Sequence, residues 1–99
     1  MTASVTLRPA AQLDLADAIE WYESKSPGLS FDFRLALDAS LSLIARFPDS
    51  GSPIVHGLRR ALLRRFPHAI YYRNPGSVID VVAILHFSRS PRAWQARDL

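Results

Sequence analysis

The chain of 99 residues contains no cysteine and a single lysine, Lys25. The first absence excludes a disulfide framework, a thiolate nucleophile and any cysteine-ligated metal site, and it suits a reducing compartment. The second leaves nearly all positive charge to arginine, whose planar guanidinium grips phosphate or carboxylate with two parallel bonds. Long hydrophobic runs are missing, and the opening MTASVTLRPA lacks the basic-then-apolar layout of an export signal. A soluble, cytoplasmic protein is expected. Neither a GxGxxG nor a P-loop signature occurs, and His56, His68 and His86 have no companion ligands at metal-like spacing. The expectation is no metal and no organic cofactor.

What is present is a well-mixed apolar content of 48%, enough for one folded domain over residues 1–99 and too little chain for two. The net charge of +3 conceals an asymmetry. Residues 1–50 carry a net −3, while residues 51–99 set eight arginines against Asp80 and Asp98, a net +6. A basic second half points to a polyanionic or acidic partner.

The periodicity predicts the order β-α-α-β-β-β, an α+β fold in which a helical hairpin packs on a small, mostly antiparallel sheet. Residues 4–8 alternate and stop at Pro9, as an edge strand would. Over residues 10–24, Ala11, Leu15, Ala18, Ile19 and Tyr22 form a helical stripe, with acids on the outer face and Trp21 at the border. Ser26-Pro27-Gly28 breaks this helix and starts a second over residues 29–47. Its inner face is predicted as Leu29, Phe33, Leu37, Ser40, Ile44 and Phe47, with Ala36 and Leu43 beside it. Residues 54–58 lead into the sheet, followed by strands over 60–66, 68–73 and 78–87 and a terminal turn or short helix over 91–97. Strict alternation along the last strand places Ile79, Val81, Ala83, Leu85 and Phe87 on an apolar face under the helices. It leaves Val78, Asp80, Val82, Ile84 and His86 on a second, partly open face.

The arginines are the main functional signal. Arg60, Arg64, Arg73, Arg89, Arg92 and Arg97 are interleaved with Tyr71, Tyr72, Phe87 and Trp94, a mixture that serves RNA through phosphate contacts and stacking. The same mixture holds an acidic peptide through ion pairs and aromatic packing. Tyr71, Tyr72 and Phe66 are also expected in the core. His86 and Arg89 together could act on RNA without a metal, the histidine moving protons and the arginine stabilising charge on phosphorus. A strand-end histidine making a structural hydrogen bond is the commoner explanation of His86.

Three segments carry a resemblance: AIEWYESKSPGLSFDFRLAL, then RRALLRRFPHAIYYR, then AILHFSRSPRAWQAR. The WYE…PGL…F run, the arginine-rich strand entering FPH-I-YY, and the H-x-x-R-x-P-x-x-W tail resemble the RelE/ParE superfamily of toxins from bacterial type II toxin–antitoxin modules, also called plasmid stabilisation proteins. The resemblance implies a small α/β fold of the order above and a cognate antitoxin whose C-terminal segment wraps the toxin. It implies antitoxin packing on the helices at Trp21, Phe31 and Leu35. It also implies binding of antitoxin or target by Arg59, Arg60, Arg64, Arg65, Arg73, Arg89, Trp94 and Arg97. One branch blocks DNA gyrase by binding, without a catalytic set. The other is a ribosome-dependent mRNA endonuclease (an mRNA interferase), in which His86 and Arg89 would be the catalytic residues. The scarcity of lysine and the absence of a tyrosine after Tyr72 favour the gyrase-directed, ParE-like branch.

Overall fold

Pro9 ends one element and begins the next. Its ring fixes φ and removes a donor that the first turn of a helix does not use, so the chain passes from extended Arg8 directly into a helix. A computed structural model describes residues 3–88 and 91–97. The elements are β1 (Ser4–Leu7), α1 (Pro9–Lys25), α2 (Leu29–Arg46), β2 (Ser52–Pro53), β3 (Leu58–Leu62), β4 (His68–Arg73), β5 (Val78–His86) and α3 (Pro91–Gln95). The strands form one sheet in the order β1-β5-β4-β3-β2. β1 runs parallel to β5, and the other neighbours are antiparallel.

The helical hairpin is closed by one carboxylate. Glu23, near the end of α1, accepts the Gly28 N–H at 3.2 Å and the Ser30 hydroxyl at 2.7 Å. It thereby caps the orphan donors at the start of α2, which has no side-chain cap of its own. Gly28 itself lies at φ 87, a left-handed conformation that glycine adopts without strain.

Both faces of the sheet are buried. Under the hairpin lie Ile70, Tyr72, Ile79, Val81 and Ile84, packed against Ala11, Ala18, Tyr22, Phe33, Leu37 and Ile44. On the other face, Leu58, Ala69, Tyr71, Val82, Ala83 and Leu85 are covered by Trp94 of α3 and by Ile54 and Val55. The expectation of a partly open second face is therefore corrected: a five-residue helix and one loop are enough to close it.

The strict alternation expected along the last strand also fails, for a local reason. Tyr71 pairs with Ala83 and Tyr72 with Val81, which leaves Val82 as an extra residue, a β-bulge. Parity reverses there. Ile79 and Val81 face the helices before the bulge and Ile84 faces them after it, while Ala83 and Leu85 turn to the opposite side. Boundaries moved as well. The third strand begins at Leu58 rather than residue 60, and Arg65 at φ 69 turns the chain after Leu62. Phe47 and Leu43, placed on or beside the inner face of the second helix, are about half exposed.

Tyr72 joins sheet to loop. Its hydroxyl donates to the Pro48 carbonyl at 2.7 Å and accepts the Gly51 N–H at 3.0 Å. A Cβ on Gly51 would lie 2.6 Å from that oxygen, so only glycine fits the approach.

Candidate functional site

Six of the eight arginines of the second half fall into two sets. In the first, each guanidinium holds the fold together. Arg59 donates to the carbonyls of Asp49 at 3.0 Å and Gly51 at 2.7 Å, and lies 3.6 Å from the Asp49 carboxylate. Arg73 donates to the His56 carbonyl at 2.6 Å. Arg97 pairs with Asp14, and its carbonyl accepts Arg8 Nη1 at 2.8 Å. Arg8 in turn grips Asp80 with bonds of 2.6 to 3.1 Å. These pairs tie α1, β5 and the C-terminal turn into one network. The second set is Arg60, Arg64 and Arg65, which no hydrogen bond or ion pair joins to another described residue.

Trp94 is not presented to a partner. It is buried and stacks on Tyr71, with ring centroids 5.2 Å apart and planes 17° from parallel, so its expected binding role is replaced by a packing role. Arg89 lies outside the described residues.

Arg64 and Arg65 rim a cleft of about 570 Å³ between α2 and the edge of β3. Its apolar lining includes Leu35, Ala39, Leu43, Leu62 and Phe66, and Asp32 lies at one end. The cleft exists because β2 pairs with β3 only at Arg59 and Arg60. The Leu63 N–H bonds to the His68 carbonyl on the β4 side, so the backbone groups of the preceding residue, Leu62, point to the uncovered edge. This surface was only partly legible beforehand. Phe31 and Leu35 are both expected contacts, and both are exposed on α2. Leu43 and Leu62 were missed. The available signal was a second row on the second helix, Phe31, Leu35, Ala39 and Leu43, spaced by four and parallel to the buried one.

The second cleft, about 320 Å³, lies at the opposite edge, between α1 and the end of β5. It is lined by Asp14, Asp17, Trp21, His68, Ile84 and His86, among others. The bulge turns His86 toward this side, beside His68, with ring centroids 5.8 Å apart; the expectation that His86 leaves the strand on the other face is corrected. His68 shares a hydrogen bond with the Tyr22 hydroxyl at 3.1 Å, and burial, with His86 nearby, lowers its pKa to about 4. Near pH 7 His68 is neutral. His86 Nδ1 lies 3.1 Å from the Ser88 N–H, a local turn contact.

These positions bear directly on chemistry. Arg60 sits across from Tyr71 and leaves β3 on the α3 side of the sheet, and Arg64 and Arg65 open into the α2–β3 cleft. The histidine pair opens into the other cleft, where the nearest fixed charges are the carboxylates of Asp14 and Asp17. No group of three or more metal-ligating side chains occurs among the described residues.

Comparison with known proteins agrees with the fold and the segments quoted above. Residues 5–91 match the family described as "ParE toxin of type II toxin-antitoxin system, parDE". Toxin ParE2 of Mycobacterium tuberculosis is 27% identical over 97 residues, covering 97% of this chain and 92% of that protein. Among solved structures, a chain of the chromosomal ParDE system from P. aeruginosa superposes with a TM-score of 0.75 at 19% identity, over 86% of this chain and 96% of that one. A chain of the RelBE2 toxin–antitoxin complex of M. tuberculosis gives 0.55 at 20% identity, over 87% and 99%. With two helices on a mostly antiparallel sheet and a family match over most of its length, the chain belongs to the ParE toxin family and is the toxin component of a type II toxin–antitoxin module.

Proposed function

We propose that this toxin arrests growth in the cytoplasm by binding DNA gyrase, with no catalytic step of its own, and that its cognate antitoxin neutralises it by occupying the α2–β3 cleft. The observation that carries the first half is the separation of the two chemically active groups. Phosphodiester cleavage without a metal needs a proton-transfer residue and a cation converging on one phosphate. Among the described residues, the histidine pair and the cleft arginines Arg64 and Arg65 open into different clefts, and the histidines share theirs with the exposed carboxylate of Asp17, which repels phosphate. The arrangement suits binding rather than turnover.

The antitoxin half rests on shape and charge. An amphipathic segment lying along Leu35, Ala39 and Leu43 would bury an apolar row two turns long, and acidic groups on it would meet Arg64 and Arg65. The toxins in the ParDE and RelBE2 structures come from toxin–antitoxin systems, which supports an antitoxin partner here. Purified toxin is expected to inhibit supercoiling by gyrase and to leave translated messages uncut. Unimpaired supercoiling at large toxin excess, together with new cuts in translated messages that vanish in His86→Ala, would replace this reading with the endonuclease.

A further inference from the structure

The larger cleft has a stated occupant; the smaller one, at the β5 edge, has none. Its geometry begins with a truncated strand. β1 pairs with β5 only as far as Leu7 and Val81; the Arg8 N–H closes on the Val81 carbonyl, and the chain then turns away into α1. The rest of β5 has β4 on one side and, among the described residues, no strand on the other. The Phe87 N–H bonds to the Pro67 carbonyl toward β4, so the alternation of an antiparallel ladder aims the backbone groups of Ile84 and His86 the opposite way, into the cleft. One of these is already satisfied: the Asp14 carboxylate accepts the Ile84 N–H at 3.0 Å, a side chain standing where a strand would. The His86 N–H and the carbonyls of Ile84 and His86 have no strand to pair with among the described residues.

The walls add a charge preference. Asp17 is exposed at the rim, and Trp21 is 54% exposed. Lys25 sits 4.8 Å from the Trp21 ring centroid, so this indole already accepts a cation on its face. Among the described residues no arginine lines the cleft, and Arg97 is bound to Asp14. The two clefts thus differ, among the described residues, in balance of charge: two arginines against Asp32 at β3, and Asp17 beside the Arg97-paired Asp14 at β5.

We infer that the β5 edge is the target-binding site: it takes an extended, basic segment of the toxin's target protein, which adds to the sheet beside residues 84–86 and places a lysine or arginine against Asp17 and Trp21. The inference rests on the two-partner reading above. It goes beyond that reading in assigning target and antitoxin to separate edges. An acidic antitoxin segment is repelled here and attracted at the other cleft, so the two surfaces sort their partners by charge.

Full-length toxin titrated with two fluorescein-labelled decapeptides, one alternating Lys and Val and one alternating Glu and Val, tests the cleft directly. The Lys/Val peptide is expected to bind saturably and to slow amide exchange at His86. Asp17→Asn and Trp21→Ala, both at exposed positions, should each weaken it about fivefold or more, while Leu35→Ala in the other cleft leaves it unchanged. Equal binding of the Glu/Val peptide, unaltered affinity in Asp17→Asn and Trp21→Ala, or unprotected His86 overturns the assignment, as does no binding at millimolar peptide. A supercoiling assay then separates this inference from the function. Gyrase inhibition by wild-type toxin that survives Asp17→Asn with Trp21→Ala removes the cleft as target site and leaves the gyrase reading intact. Absence of inhibition by the wild type removes gyrase, and the peptide titration alone decides the cleft.

Discussion

Truncating the two leucines that line the α2–β3 cleft should release the antitoxin without harming the toxin. Leu35 is 54% exposed and Leu43 51% exposed in the free chain. Burying a whole leucine side chain stabilises by about 1.5–3 kcal/mol, so covering the exposed half of each contributes about 1 kcal/mol. The residues are eight apart on α2, two turns and about 12 Å along the axis, far enough that their effects add. Leu35→Ala with Leu43→Ala is therefore expected to weaken cognate antitoxin binding by about 2 kcal/mol, roughly 30-fold in Kd. The fold should be unaffected, since both side chains already stand half in water and alanine is the better helix former. Isothermal titration of toxin variants with antitoxin gives the affinity, and a thermal melt checks the fold. Leu13→Ala on α1, which removes a comparably exposed leucine outside the cleft, serves as the control. If the double variant binds like the wild type while Leu13→Ala is weakened, the antitoxin sits elsewhere and the cleft reasoning fails.

The buried tyrosine offers a stability test. Tyr72→Phe strands the Pro48 carbonyl and the Gly51 N–H and should cost about 1–3 kcal/mol, read as a lower urea midpoint with an unchanged slope; a midpoint equal to the wild type would mean water replaces the hydroxyl. His68 predicts a pH dependence. Its folded pKa, about 4, lies below the ordinary 6.5, so the unfolded chain binds this proton more readily and stability falls as pH drops from 6.5 to about 4. Urea midpoints of wild type and His68→Phe across that range should converge at low pH relative to their difference at pH 7; parallel curves would refute the argument. For Glu23, the Ser30 hydroxyl, followed by the Gly28 N–H, holds the carboxyl below its usual range. Its contribution is present at neutral pH and lost as pH falls through that lowered value, and Glu23→Gln should speed amide exchange at Gly28 and Ser30 even at pH 7.

Much of this architecture could be read from spacing, because it follows from local rules. Pro9, Pro27-Gly28 and Pro48 each end or start an element through backbone restriction alone, and the helical stripes of residues 11–22 and 29–44 match the buried sets closely. What escaped was determined by tertiary context. Val82 is β-branched like Val81 and Ile84, and nothing in VVAIL announces which residue will be skipped; the bulge arises from how β4 and β5 meet around Tyr71 and Tyr72. That slip moved His86 from one face to the other and with it the partner of the candidate site. Trp94 is expected among the binding residues, and its sequence context does not say whether it is buried; Tyr71 offers it a flat ring to stack on. The arginines illustrate the same limit. Identity alone cannot tell Arg59, which reaches two loop carbonyls, from Arg60 beside it, which reaches none among the described residues.

An exposed strand edge invites pairing with other chains, and folded proteins ordinarily blunt it with charge, proline or a covering element. This sheet does so incompletely on both sides. β2 shields β3 for two residues, with Pro53 among them, and β1 shields β5 for four before the chain leaves for α1. Beyond those points, the protection is electrostatic: Arg64 and Arg65 at one edge, Asp14 and Asp17 at the other. Charge of a single sign repels a random strand of the same sign and admits one of the opposite sign, so it screens partners as well as guarding against aggregation. On the proposed roles, charge at the two edges sorts the two partners, and one sheet, whose core holds Tyr71 and Tyr72 fully buried, carries both openings.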